Sequence, residues 1–220
     1  MNYWENIYKM KKQLIEWPFS DLVSLFNRFN KFKKKKLTVL ELGCGAAPNA
    51  NFFLSKKINY TGIDFSKSII KEVKKKYLKN KNTKFYCLDI SKPFKFNKKF
   101  DYIVDRGSIT HLSDKEVSQC LKNIFQNLKN KGIFFSIDLF STSHSIFRQG
   151  ISYESSNTKI FKKKKDQYYS YGKINFFSKK RINDIFGEKF KIIELVEKNF
   201  VHHLKKNNKS SFWQIVLKKR

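Results

Sequence analysis

Short apolar runs alternate with stretches in which apolar residues recur every three or four positions, and the alternation is regular from residue 37 to residue 138. The runs LTVLEL (37–42), INYTGID (58–64), TKFYCLD (83–89), FDYIVD (100–105) and GIFFSID (132–138) read as strands. Residues 49–54, after Pro48, continue a helix that the proline can start. Ser66 is an N-cap candidate for a helix over 67–79, with Ile69, Ile70, Val73 and Tyr77 on one face. Ser113 caps a helix to about residue 128, with Val117, Leu121, Ile124 and Leu128 inward and Asn130-Lys131-Gly132 as its stop. Residues 1–32 also read as helical, through Trp4, Ile7, Tyr8, Leu14 and Ile15. After Pro18, Leu22, Leu25, Phe26 and Phe29 follow on one face.

Strands and helices that alternate five times mean a parallel sheet with helices on both faces. The rhythm then changes. Residues 139–172 show no clear period and carry many Ser, Tyr and Lys residues. Ser178 caps a short helix over 179–187. Two further strands, 189–198 and 210–219, are joined by the polar KKNNKSS, which reads as a hairpin-style return. The expected fold class is α/β: a Rossmann-like seven-stranded sheet, mostly parallel with an antiparallel last strand, and helices on both faces. A length of 220 residues fits one domain over 1–220, in which 1–36 form an N-terminal helical cap.

With 40% hydrophobic residues, 23 Phe and 10 Tyr, the chain can bury a sizeable core, which excludes global disorder. No apolar run is long enough for a transmembrane helix, and MNYWENIYKMKK lacks the continuous apolar stretch of a secretory signal. Cys44, Cys87 and Cys120 are odd in number and far apart, so neither a disulfide framework nor a zinc ribbon is expected, and a cytoplasmic location is the simplest home. The formal charge is +29, from 47 basic and 18 acidic residues. Such a charge attracts nucleic acid or an anionic membrane surface. Only five of the basic residues are Arg, however, and Lys, Asn, Ile, Phe and Tyr make up about half the chain while Ala appears three times. That is the bias of an A- and T-rich coding sequence, and the Lys runs 33–36 and 162–165 read as solvated surface.

The chemistry gathers at the strand ends. In VLELGCGAAPNANFF, Gly43 and Gly45 let the backbone approach a ligand ahead of a helix N-terminus. Pro48 stands where a dinucleotide-binding GxGxxG turn would have its third glycine, which disfavours NAD or FAD. Asp64 ends the second strand, 19 residues after Gly45, and Asp89 ends the third. A carboxylate at such a position can accept both hydroxyls of a ribose. It can equally cap the helix that follows.

ELGCG, GIDFS, CLDIS, FDYIVDRGS and LKNKGIFFSID, in this order, resemble the motifs of class I S-adenosylmethionine-dependent methyltransferases, over about residues 35–140 and 173–218. The resemblance implies S-adenosyl-L-methionine as cofactor. By it, Gly43, Cys44 and Gly45 pass under the methionine part with Glu41 nearby. Asp64, followed by Phe65, holds the ribose, and Asp89 accepts from the adenine amino group with Ile90 beside the ring. The family's third glycine is Ala47 here. Asp105 and Arg106 end the fourth strand where the acceptor meets the methyl group, with His111 shortly after. Asp105-Arg106-Gly107 is similar to the same step in thiopurine methyltransferase-like enzymes, which implies a small-molecule or sugar-like acceptor. His111 is a candidate general base, or a histidine bonded structurally near a helix start. Arg106 is a candidate partner for an anionic acceptor or the cofactor carboxylate, or an ion-pair partner of Asp105. Residues 139–172 are the candidate acceptor lid, offering His144, Arg148, Tyr153, Tyr168, Tyr169 and Tyr171. Trp4 and Tyr8 either close over the cofactor or pack in the core. An RNA methyltransferase and a catalytically silent cofactor-binding module are the alternatives.

Overall fold

The structure is a computed structural model that describes residues 3–30, 36–162, 168–169, 171–204 and 209–220. Lys33–35, Lys163–165 and most of the polar return at 205–211 lie outside the described residues. Numbered in chain order, the helices are α1 (Tyr3–Lys9), α2 (Ser20–Phe29), α3 (Ala50–Ser55), α4 (Lys67–Lys76), α5 (Asp114–Asn127) and α6 (Lys179–Gly187). The strands are β1 (Thr38–Leu42), β2 (Asn59–Asp64), β3 (Thr83–Cys87), β4 (Phe100–Arg106), β5 (Leu128–Phe140), β6 (Ile151–Tyr153), β7 (Ser155–Ile160), β8 (Lys173–Asn175), β9 (Phe190–Val201) and β10 (Lys209–Lys219).

Seven strands form the main sheet in the order β3-β2-β1-β4-β5-β10-β9. All pairs from β3 to β5 are parallel, and β10 runs antiparallel to both of its neighbours. Consecutive residues along the central strands enter opposite cores. Val39, Tyr102 and Phe135 face the α2–α3–α4 side, while Leu40, Ile103 and Phe134 face α5 and α6. A strand buried on both faces has no polar alternation to show, which is why these segments read as continuous apolar runs. The helix starts follow their caps. Ser66 Oγ accepts from the Ile69 amide at 3.2 Å, and Ser113 and Glu116 form a capping box at α5. Asn123 and Asn127, buried on α5, bond the backbone of residues 90–96 and hold that connection on the sheet edge.

Four expectations need correction. The segment read as helical over 1–32 holds, in its described residues 3–30, two helices with a non-helical connection between them. Left-handed Lys11 (φ 53°) and Gln13 (φ 58°) end α1, and Pro18 disfavours helical geometry at Trp17. Helix α3 begins at Ala50 rather than at Pro48, because left-handed Ala47 (φ 54°) turns the chain first. The stop after α5 comes earlier than Asn130-Lys131-Gly132: β5 starts at Leu128, and 129–132 bulge against β4. A Cβ on Gly132 would lie 2.8 Å from Leu128, so the bulge closes only around glycine. Finally, 139–172 is not irregular. Its described residues hold a 3-10 turn (Ser145–Arg148) and strands β6 and β7; β7 pairs antiparallel with β6 on one side and β8 on the other, over a third core that includes Phe140, Phe161, Tyr168 and Phe176.

Candidate functional site

The carboxyl ends of β1, β2 and β4 and the turn after β3 open into one cavity of about 970 Å³. Its floor is the turn after β1. Gly43 (φ 58°) and Gly45 (φ 49°) are left-handed. A Cβ on Gly43 would lie 2.0 Å from Ser108 Oγ, and one on Gly45 would lie 2.7 Å from the Tyr8 hydroxyl. Both positions therefore favour glycine for conformation, and Gly43 for space as well. Asp64 is buried at the end of β2. Its Oδ2 accepts from the Gly45 amide at 3.0 Å and its Oδ1 from the Ser66 amide at 2.9 Å. Burial raises its pKa, against the pull of those two amides. Asp89 is exposed on the cavity wall, and its Oδ1 accepts from the Ser91 amide and hydroxyl at 2.8 and 2.6 Å. Phe65, next to Asp64 in the chain, and Ile90, next to Asp89, also line the cavity.

Glu41 reaches the cavity from within the sheet. It accepts from Asn49 Nδ2 at 2.7 Å and from the Tyr60 hydroxyl, and burial pushes its pKa up to about 7. Asn49 Oδ1 in turn accepts from the Phe19 amide, so the glycine turn is tied to the start of α2. Cys44 lines the cavity, but burial, Asp64 and Glu41 hold its thiol protonated. Cys87 is the exposed cysteine of the three, and its thiol donates to the Phe65 carbonyl at 3.3 Å.

The turn after β4 separates two residues expected to act together. Asp105 does not line the cavity. It is fully buried, and its carboxylate accepts from the Ser108 and Ile109 amides at 3.0 and 3.1 Å. Burial pushes its pKa up to about 7. Gly107 (φ 71°) turns the chain back, and the Asp105 carboxylate closes the 3-10 turn that carries His111. Arg106 does line the cavity, but its ion-pair partner is not Asp105. It binds Asp138 at 2.7 Å, approaches Asp21 at 3.6 Å and stacks over Phe19 at 3.4 Å. Lys198 pairs with the same two aspartates at 3.1 and 3.2 Å, which completes a charge-balanced square beneath the cavity.

His111 is half-buried under aromatic rings. Trp4 lies 5.5 Å and Tyr171 6.2 Å from it, centre to centre. Burial drives its pKa down to about 4, against the bond between Nδ1 and the Lys173 carbonyl at 3.2 Å. A carbonyl only accepts, so Nδ1 carries the hydrogen and Nε2 keeps a free lone pair at neutral pH. Of the expected lid residues only Tyr171 reaches this cavity, together with Gly172 and Lys173. His144 and Tyr168 pack in the third core, Arg148 is exposed, and Tyr153 and Tyr169 line a separate open depression of about 710 Å³.

Sequence reasoning missed how the roof is held. Glu5 on α1 accepts from Ser66 Oγ at 2.5 Å and Ser68 Oγ at 2.6 Å, which lays Tyr3, Trp4 and Tyr8 across the cavity. It also missed the Glu116–Lys173 ion pair on the wall.

Residues 39–132 match the family described as a methyltransferase domain. Over 109 residues the chain is 34% identical to phosphoethanolamine N-methyltransferase 3 of Arabidopsis thaliana. The match covers 48% of this chain and 22% of that protein, so this chain aligns with about a fifth of the curated relative's length. Among solved structures, an S-adenosylmethionine-dependent methyltransferase of Methanosarcina mazei aligns with a TM-score of 0.71 at 16% identity, over 92% of this chain and 98% of that one. The N-methyltransferase NodS of Bradyrhizobium japonicum, solved with S-adenosylhomocysteine, aligns with a TM-score of 0.65 at 14% identity over 99% of both chains. At these identities the likeness establishes the Rossmann-like methyltransferase fold.

Proposed function

We propose that this chain, with its methyltransferase domain over 39–132, is an enzyme that uses S-adenosylmethionine to methylate a small amine. The observation that carries this reading is the convergence on one cavity of the left-handed Gly43–Gly45 turn, Asp64, Asp89 and, across from them, His111. The donor set suits the cofactor. The glycine turn brings bare backbone to the cavity floor, two carboxylates stand at successive strand ends for hydroxyl and amino donors, and Phe65 and Ile90 add apolar surface to the cavity. The cofactor supplies a methyl group already activated on a sulfonium, so the protein positions the partners and excludes water.

An amine fits the acceptor end better than a hydroxyl. With a pKa of about 4, His111 is neutral at pH 7 and a weak base. A hydroxyl acceptor needs a strong base, whereas a neutral amine brings its own lone pair and sheds its proton after transfer. The cations nearby are already balanced, Arg106 by Asp138 and Lys173 by Glu116, which leaves an aromatic wall without excess charge. The names of the Arabidopsis relative and of NodS, both N-methyltransferases, support the same acceptor class.

The test is calorimetric titration with S-adenosylmethionine and S-adenosylhomocysteine, followed by transfer of labelled methyl to a panel of small amines, sugars and tRNA. Micromolar cofactor binding with label in an amine is the expected result. Label confined to RNA or sugar would replace the acceptor, and failure of the folded protein to bind the cofactor would remove the function.

A further inference from the structure

We infer that the segment from Met10 to Trp17 is a docking surface for an anionic lipid bilayer. Every residue from Lys9 to Trp17 is exposed, yet four of them are large and apolar: Met10 at 56%, Leu14 at 41%, Ile15 at 40% and Trp17 at 81% exposure. Isolated exposed apolar residues are ordinary, but a contiguous group on a connection between two helices marks an interaction surface. The connection has a defined shape. The amides of Lys11 and Lys12 close on the carbonyls of Tyr8 and Ile7 at 2.9 and 3.0 Å, and the left-handed Lys11 and Gln13 then turn the chain outward.

The charge pattern selects the partner. Lys9, Lys11 and Lys12 flank the apolar group, and Glu16 is the one acid from residue 9 to residue 17. Basic residues beside Trp, Leu, Ile and Met form the signature of an interfacial contact. The indole and aliphatic groups enter the headgroup boundary, and the ammonium groups meet lipid phosphates. A nucleic acid would use the lysines but offers nothing to Met10 and Leu14. A second copy would set these lysines against their own kind. Among the described residues no helix is long and apolar enough to cross a membrane, so the contact would be peripheral. Gln13 and Ile15 also line the rim of the main cavity, so docking turns its mouth toward the lipid surface. This contact is independent of which acceptor the cavity takes.

The experiment is co-flotation of the full chain with vesicles of phosphatidylcholine alone or rich in phosphatidylglycerol, with tryptophan emission read against brominated lipid. The expected result is binding to the anionic vesicles, with a blue shift and quenching. The double variant Leu14→Ser/Trp17→Ser keeps every charge, and neither side chain is buried, so its melting curve stays that of the parent. It should bind about tenfold or more weakly. Trp17→Phe should retain binding and lose most of the bromolipid quenching. Undiminished binding by the double variant would reduce the interaction to generic charge and overturn the inference. So would absence of binding by the parent, or a concentration-dependent dimer in sedimentation that the double variant abolishes.

Discussion

The Gly45 amide donates to Oδ2 of Asp64 over 3.0 Å, and this bond ties the turn after β1 to the end of β2. The other oxygen of the same carboxylate holds the Ser66 amide at the start of α4. Each oxygen keeps a second lone pair, so one buried residue both fixes the floor of the cavity and remains able to accept from a ligand above it. Structural and binding roles are therefore superposed in Asp64, and substitutions must separate them.

Asp64→Ala should lower affinity for S-adenosylmethionine at least tenfold in calorimetry. It should also cost about 1–3 kcal/mol in denaturant unfolding, because the Gly45 and Ser66 amides lose a buried acceptor. Asp64→Asn retains one acceptor oxygen and should recover part of the stability but little of the affinity. Full cofactor affinity in a folded Asp64→Ala protein would leave only the structural role.

Cys87 offers a chemical readout of the same cavity. Cys44 and Cys120 are buried, while Cys87 is exposed on the cavity wall beside Asp89. Iodoacetamide followed by peptide mass spectrometry should mark Cys87 first, and saturating S-adenosylhomocysteine should slow that reaction severalfold. Unchanged labelling with ligand bound would place the ligand elsewhere.

What was legible in the sequence was what local patterning dictates. Doubly buried strands, the Ser66 and Ser113 caps and the glycine turn each follow from residues adjacent in the chain. Asp105 shows where that logic ends. A carboxylate at a strand end can face a ligand or turn back to amides, and the turn at Gly107 decides, which spacing does not reveal. Arg106 found Asp138 and Asp21, partners set by strand order rather than by proximity along the chain. Ala47 departs from the glycine expected by resemblance, yet it keeps the left-handed backbone (φ 54°) at a cost of about 1–2 kcal/mol. The small sheet of β6, β7 and β8 was hidden because its strands are short and partly exposed, and give little periodicity.

Glu5 should act on exchange of the cofactor more than on stability. Helix α1 contributes no buried residue, and Glu5 anchors it to α4 through Ser66 and Ser68. Those hydroxyls hold its pKa below the usual carboxylate range. Glu5→Ala should raise the dissociation rate of S-adenosylhomocysteine about tenfold in stopped-flow displacement, the equivalent of ~1.4 kcal/mol, with the melting temperature nearly unchanged. An unchanged rate would mean that α1 does not cover the bound ligand.

His111→Ala should lower turnover by roughly ten- to a hundredfold while cofactor affinity changes little, the pattern of a group that acts on the acceptor. Because burial drives its pKa to about 4, the pH–rate profile above pH 5 should report the acceptor amine and not the imidazole. Equal losses of affinity and turnover, or no loss of turnover, would remove His111 from that role.

His144 makes a prediction about stability rather than catalysis. It stacks on Phe140 at 5.2 Å in the third core, 2% exposed, and its Nδ1 accepts from the Ile146 amide at 3.4 Å. The hydrogen therefore sits on Nε2, which is buried without a partner. Burial depresses its pKa from 6.5 to about 4. The unfolded chain binds the proton near pH 6.5 and the folded chain only near pH 4. This group's contribution is thus complete above pH 6.5 and is lost as pH falls through that window, at about 1.4 kcal/mol per unit. Glu41 and Asp105, both raised to about 7, work with the opposite sign: their folded forms hold protons that the unfolded chain releases, so they favour the folded state as pH falls from 7. The parent should therefore show a shallow dependence of stability on pH between about 7 and 4.5, because the lowered pKa values of His144 and His111 and the raised ones of Glu41 and Asp105 offset one another. His144→Phe removes both the titration and the unpaired Nε2. It also takes the acceptor from the Ile146 amide, a long bond at 3.4 Å, so at pH 7.5 the two losses oppose and the denaturant midpoint should stay near that of the parent. The stability of the variant relative to the parent should then rise by roughly 2–3 kcal/mol on acidification to pH 4.5. Parallel pH profiles for the two proteins would show that His144 does not titrate between them.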